Sequence, residues 1–449
     1  MSTDNLKRRL SGFDATTFVV SDMVGSGIFF TTGIIAFHIG AAPELLFAWV
    51  LGGMLALLGA LSYAELAAAF PRAGGEYNYL SEAYHPLLGF LSGWTSWVIG
   101  FAAPIAIGGL VGSEFVAAYI GKEFAETNLS PIPFVTLNGK TMIGVAVIVF
   151  MVVIQIVRAG SDRITQLFLT AVKILAIGGV IAAAFASGGG SLANLSSALA
   201  PEATENGSFW VGMVIIMFSY SGWNASSYIA GEIKDPGRNL PLSLIAGTLI
   251  VTLLYFIINV VYLYALPMDK VQGTYAIAQT ALGVLLGETG GSIASAVITI
   301  SIFGAIYTML FIGPRVLYAM SRDGVFFQFA GKVDPNSGVP VGSILSIAAF
   351  AIIMVLLADL RELLEAAGFV LVTFNVLAVL AVFVLRVRRP ELERPYKLPT
   401  PLLVLPAIFC AFGLWMMYSS FTYKIESTMA GLLIVLLGVP GYFFFKRKE

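Results

Sequence analysis

Apolar residues come in long, nearly unbroken runs along this chain, not in the short alternations of a soluble fold. Twelve runs approach or exceed the ~20 apolar residues that cross a bilayer as a helix. They lie at about residues 13–38, 43–69, 87–119, 141–157, 164–186, 208–232, 240–265, 290–320, 342–358, 363–386, 402–422 and 427–445. Stretches rich in Gly, Pro and charge separate them, such as Phe70-Pro71-Arg72-Ala73-Gly74-Gly75, the loop holding Pro131 and Pro133, and the basic turn from Arg158 to Arg163. Residues 272–287 read as a short surface helix. Gly100, Pro104, Gly108 and Gly109 predict a bend in the third run.

Two runs are interrupted. In span 1, Ser21-Asp22-Met23-Val24-Gly25-Ser26-Gly27 puts two glycines around a serine where the helix should be mid-membrane. In span 6, Ser219-Tyr220-Ser221-Gly222 does the same. Opened backbone at that depth must be buried in protein or line a watery cavity. Each break presents two half-helix ends of opposite partial charge. If spans 1–5 and 6–10 are two halves, the breaks correspond. With five spans in each half, the second half enters the membrane in the opposite sense. Paired interruptions in an inverted repeat point to a transporter binding site.

Composition agrees. Of 449 residues, 58% are hydrophobic and 11% charged, against ~25% charged in soluble domains. The net charge of −1 offers no field for nucleic acid. The single cysteine, Cys410, excludes an intrachain disulfide, and two distant histidines, His38 and His85, make poor zinc ligands. No metal, cofactor, nucleotide-binding loop or nucleophile–base constellation is expected, which excludes an ATP-driven pump and argues against an enzyme. The polar, basic first ten residues are no signal peptide. With twelve spans both termini share a side, and that side holds most of the 25 Lys and Arg. The other has only Lys122, Lys140, Lys270, Arg361 and Lys424, so both termini are expected in the cytoplasm. The basic run from Arg386 to Lys397 and the tail Lys446–Lys448 need only that topology.

Gly25-Ser26-Gly27-Ile28-Phe29, Tyr63-Ala64-Glu65-Leu66 with the Pro71 to Tyr77 loop, and Phe218-Ser219-Tyr220-Ser221-Gly222-Trp223-Asn224 followed by Glu232 to Pro236 together resemble the amino acid–polyamine–organocation superfamily. Within it they are similar to the L-type amino acid transporter branch and its bacterial relatives. The resemblance implies an all-α polytopic protein of LeuT-like fold. It would be one transmembrane domain over 1–449, with inverted five-helix repeats at 13–187 and 208–386, unwound helices 1 and 6, and two added helices at 400–446.

The amides of Gly25, Ser26, Gly27 and Ile28 are expected to take a substrate carboxylate at the positive end of the second half-helix. Small-residue helix packing is the competing reading. By resemblance, carbonyls at Val24, Phe218, Ser219 and Ser221 would hold the substrate ammonium. Phe218 would gate, with Gly222 and Trp223 shaping the pocket, although Trp223 fits core packing equally well. Lys173 lies too deep in span 5 to snorkel, so it is a paired structural lysine or a functional one. By resemblance it stands where sodium-coupled relatives bind sodium, with Gln166 and Thr170 on its face, and could exchange protons. Asp22 departs from the family pattern: it pairs with Lys173, caps a half-helix or faces the cytoplasmic vestibule. Glu232 reads as a cytoplasmic gate with the basic N-terminus or Arg72, or as a solvated cluster; Glu65 reads as structural. With no acid between Phe218 and Ser227, a neutral, small to medium L-amino acid is expected. The mechanism expected is exchange or proton symport across a plasma membrane, such as a bacterial inner membrane. Cationic amino acid or polyamine transport, and amino acid sensing, are the alternatives. The partners are the substrate, protons and the lipid bilayer; the oligomeric state is open.

Overall fold

A computed structural model describes residues 6–120, 124, 127–130, 135–158, 161–200, 208–334 and 338–446. Pro131 and Pro133, part of the turn at 158–163, and Arg447 and Lys448 of the basic tail lie outside the described residues. The described residues are helical, with only isolated β-bridges. The helices that matter here are α1 (Gly12–Met23), α2 (Gly27–Ile35), α3 (Ala42–Ala69), α4 (Glu76–Ala83), α5 (Pro86–Thr95), α6 (Ala102–Ile120), α7 (Gly139–Val157) and α8 (Asp162–Ala186). After them come α9 (Ser208–Ser219), α10 (Pro236–Ala265), α11 (Ile277–Ile312), α12 (Pro314–Arg322), α13 (Val341–Leu357), α14 (Leu360–Arg388), α15 (Val404–Tyr423) and α16 (Ile425–Lys446).

Among the described residues, nine helical stretches are long and apolar enough to cross a membrane. The pair α1–α2, bent by 41°, makes a tenth. Two further apolar helices, Phe209–Ser219 and Val341–Leu357, are shorter.

Local chemistry sets the breaks. Ser11 and Asp14 form a reciprocal capping box that starts α1. Between α5 and α6, Ser96–Gly100 forms a π turn in which the Phe101 amide donates to Ser96 O at 2.9 Å. Pro104 has no N–H to offer the Gly100 carbonyl, so the ladder must slip near there. Gly287, at φ +70°, bends α11, and Pro314 starts a new helix after it. The short surface helix expected over 272–287 is the first part of α11, and its inner face (Ile277, Ala281 and Leu285) is buried.

Small residues let two central helices touch. A Cβ on Gly53 of α3 would lie 2.2 Å from the Thr252 side chain of α10, and one on Gly52 would meet Ile216 of α9 at 2.4 Å. The basic run after α14 does more than mark topology. Arg386 and Arg394 both pair with buried Glu65 at the end of α3, and the Leu398 amide donates to the same carboxylate. Glu65 is structural, as its place in the sequence suggested.

Candidate functional site

The two breaks meet, and each brings a glycine against the other helix. A Cβ on Gly27 would lie 3.0 Å from Ser219 Cα, so α2 starts in direct contact with the end of α9. Gly222, at φ +100°, sits where a Cβ would fall 2.6 Å from Asp22 Oδ2. Both contacts and the positive φ require glycine. Thr31 Oγ1 and Ser219 Oγ, 2.9 Å apart, add a hydrogen bond across the crossing.

Among the described residues, the amides of Ser26, Gly27 and Ile28 donate to no protein acceptor; Gly25 N donates to Met23 O at 2.8 Å and Phe29 N to Ser26 O at 3.0 Å. These donors open the first turn of α2, where the helix dipole is positive. Ser26 and Gly27 border a cavity of about 30 Å³ lined also by Asp22, Phe218, Ser219, Ser221 and Pro104. A second cavity of about 40 Å³ shares Asp22, Pro104, Ser221 and Met309 with it and adds Ser96, Asn224, Tyr228 and Asn375. Phe218 lines the first of these, and also a separate cavity beside Ile34 and His38.

Lys173 is fully buried in α8. Its Nζ donates to Val24 O at 2.6 Å, to Ser21 O at 2.9 Å and to Ser21 Oγ at 3.3 Å. The ammonium therefore ties α8 to the end of α1. Gln166 and Thr170 share its buried face, and Thr308 of α11 bridges Ser21 Oγ and Gln166 at 3.0 and 3.1 Å.

Several expected roles shift. The Val24 carbonyl, expected to face a substrate ammonium, is occupied by Lys173. The Ser219 carbonyl accepts from Tyr255 OH at 3.1 Å. Asp22 makes no ion pair with Lys173: its side chain is 5% exposed and its Oδ1 has no hydrogen-bond partner. It faces the span 6 break instead. Trp223 lines the second cavity and packs edge-on against Tyr63 at 4.7 Å between ring centroids.

A charged cluster lies on the terminus side of the crossing. Glu232 receives Arg315 Nε at 3.0 Å and lies 3.5 Å from Arg9, which also reaches Asp162 at 3.6 Å. Arg9 and Leu10 amides both donate to Glu232 O at 2.9 Å. The expected partner Arg72 is not part of this cluster. It pairs with Glu82 at 2.7 Å on the surface, because the turn after α3 directs it along α4. Of the two partners proposed for Glu232, only the basic N-terminus is there. On the opposite side, a vestibule of about 950 Å³ lined by Phe30, Glu114, Lys140, Tyr275 and Asp359 reaches within one helical turn of Gly27.

Sequence reasoning missed three participants. Tyr255 of α10 donates to Met23 O and Ser219 O, joining the two breaks by one hydroxyl. Arg315 is wholly buried, its guanidinium 3.6 Å over the Phe311 ring. Glu76 of α4 is buried and accepts from Tyr63 OH, Tyr228 OH and Asn224 Nδ2 at 2.9, 3.0 and 2.5 Å. Nothing in the local pattern distinguishes that tyrosine, and only a charge inside an apolar run could have signalled the arginine.

Residues 10–440 match the family of amino acid permeases. The chain belongs to that family. It is 30% identical over 454 residues to the serine/threonine exchanger SteT of Bacillus subtilis (strain 168), covering 99% of this chain and 98% of that protein. It is 28% identical over 450 residues to the Asc-type amino acid transporter 1 of Mus musculus, covering 98% and 81%. The human cystine/glutamate transporter is 28% identical over 441 residues, covering 98% and 85%. These relatives are transporters and exchangers of amino acids, not enzymes. The permease here is accordingly a multi-pass membrane protein for amino acid transport.

Proposed function

We propose that this permease is a secondary active transporter that exchanges small to medium neutral L-amino acids across a plasma membrane by alternating access. The observation that carries the reading is the row of unpartnered amides at Ser26, Gly27 and Ile28, the first two bordering a cavity at the crossing of two broken helices. Backbone donors at a helix N-terminus suit the carboxylate common to all amino acids. The cavity walls near Phe218, Ile302, Ala305 and Ile306 suit a small uncharged side chain.

In this reading the twelve apolar segments are spans, with 13–187 and 208–386 as inverted repeats and 400–446 as two added helices. Both termini are cytoplasmic by the distribution of Lys and Arg. The Arg9–Glu232–Arg315 cluster is the closed cytoplasmic gate and the vestibule is the open outer one. The Lys173 ammonium acts in place of a metal cation between α8 and α1, so transport is independent of sodium. The relative whose name specifies serine and threonine favours the small neutral class.

Proteoliposomes loaded with unlabelled L-serine or left empty, with labelled L-alanine outside, test this. Exchange requires uptake only into loaded vesicles, unaltered when sodium is replaced by potassium. Equal uptake into empty vesicles driven by an inward proton gradient would replace exchange by symport. Sodium dependence would overturn the reading of Lys173. Competition by arginine or putrescine stronger than by serine would move the substrate to the cationic class.

A further inference from the structure

Asp22 is a buried carboxylate with no hydrogen bond or ion pair among the described residues. It lies in the last turn of α1, 5% exposed, and its Oδ1 accepts no hydrogen bond among the described residues. Lys173, the cation closest in role, has no proton left to give it. An ammonium has three donors, and those of Lys173 go to Ser21 O, Ser21 Oγ and Val24 O. A desolvated carboxylate is strongly unfavourable unless a cation or donors reach it.

Its position says where that cation would come from. Asp22 borders both small cavities, with the unpartnered amides of Ser26 and Gly27 on the first. Gly222 keeps the carboxylate in this place, since a Cβ there would lie 2.6 Å from Oδ2. Two of the carbonyls that could otherwise hold an ammonium are engaged, Val24 O by Lys173 and Ser219 O by Tyr255.

We propose that the Asp22 carboxylate binds the positively charged amino group of the substrate and makes that group, more than the substrate carboxylate, the feature the site requires. The inference rests on the reading of this cavity as the substrate site. A small primary amine without a carboxylate keeps the contact to Asp22. An amino acid whose nitrogen is acylated loses it.

The test uses purified full-length protein, wild type and Asp22→Asn, with L-alanine, L-alaninol and N-acetyl-L-alanine as probes. Asn keeps the shape and removes the charge. In wild type, alaninol inhibits labelled alanine uptake and raises the melting temperature in detergent, while N-acetylalanine does neither. In Asp22→Asn, the alaninol concentration needed for half its effect rises at least ~tenfold. The ligand-free variant melts no lower than wild type, since the lone charge is gone. That result separates a binding role from a structural one. Gly222→Ala, which crowds the carboxylate, gives the second arm and shifts the same concentration upward.

Unchanged alaninol potency in Asp22→Asn overturns the proposal, as does N-acetylalanine acting as well as alanine. A variant that keeps alaninol potency but loses the pH dependence of uptake overturns it in favour of a proton site. If wild type takes up no amino acid at all, the transport reading fails. The melting shifts with alaninol still decide the role of Asp22.

Discussion

Lys173 holds open backbone that no helix neighbour can satisfy. Its ammonium supplies donors to Ser21 O and Val24 O, the carbonyls left over where α1 stops. Replacing Lys173 by Met leaves both acceptors buried and unpaired, at a cost of ~1–3 kcal/mol each. The expected outcome is an initial rate of alanine exchange at least ~tenfold lower in protein that remains monodisperse. Glu76 offers a second residue-scale test, outside the spanning helices. Burial raises the pKa of its carboxyl above the ordinary value, and the hydrogen bonds from Tyr63, Tyr228 and Asn224 offset this only in part. The folded protein thus holds this proton more tightly than the unfolded chain. Stability falls as pH rises from the ordinary glutamate value to the raised one, and this contribution is flat outside that window. Glu76→Gln keeps an acceptor for all three donors, so it should flatten that part of the melting temperature against pH. Differential scanning fluorimetry from pH 4 to 9 reads the slope, and an unaltered slope would sink this account.

At the scale of elements, the site depends on how closely α2 approaches α9. Gly27 stands against a backbone atom of Ser219, not a flexible side-chain tip, so a methyl group there must separate the helices. Gly27→Ala should weaken alanine binding and lower stability by ~1–3 kcal/mol. Equilibrium binding and unfolding in detergent check the two effects, and an unchanged affinity would mean the crossing tolerates spreading. The π turn at Ser96–Gly100 belongs to the same scale. It bends the third span so that Ser96, Phe101 and Pro104 all reach the cavity beside Asp22.

Across the whole molecule, the two sides of the proposed substrate path differ in their chemistry. A turn of apolar helix around Phe30 lies between the cavity and the vestibule, whereas ion pairs centred on Glu232 are proposed to seal the terminus side. Removing one partner of such a pair strands the other, which costs ~3–5 kcal/mol. Glu232→Ala should therefore destabilise the closed terminus side in particular. Cys410 is the only cysteine, so Cys410→Ser gives a clean background for a reporter at Ser96. In inside-out vesicles an impermeant maleimide should label that reporter faster when Glu232 is Ala. Equal labelling rates would show that the cluster does not seal this side.

The sequence by itself determined the membrane class, the helices near the expected bounds and the position of both breaks. Those properties are local: apolar length decides what can span, and Gly25, Gly27 and Gly222 weaken the helix wherever it folds. The depth of Lys173 followed from counting along its own helix. What the tertiary structure decided was pairing. Whether Lys173 met Asp22 or the Ser21 and Val24 carbonyls, and whether Glu232 met Arg72 or Arg9 and Arg315, turned on contacts between residues far apart in the chain. Spacing cannot encode those, because each charged group has several partners within reach of a flexible side chain and packing selects one. The carboxylate of Asp22, left alone at the crossing of the two broken helices, is the result of that selection.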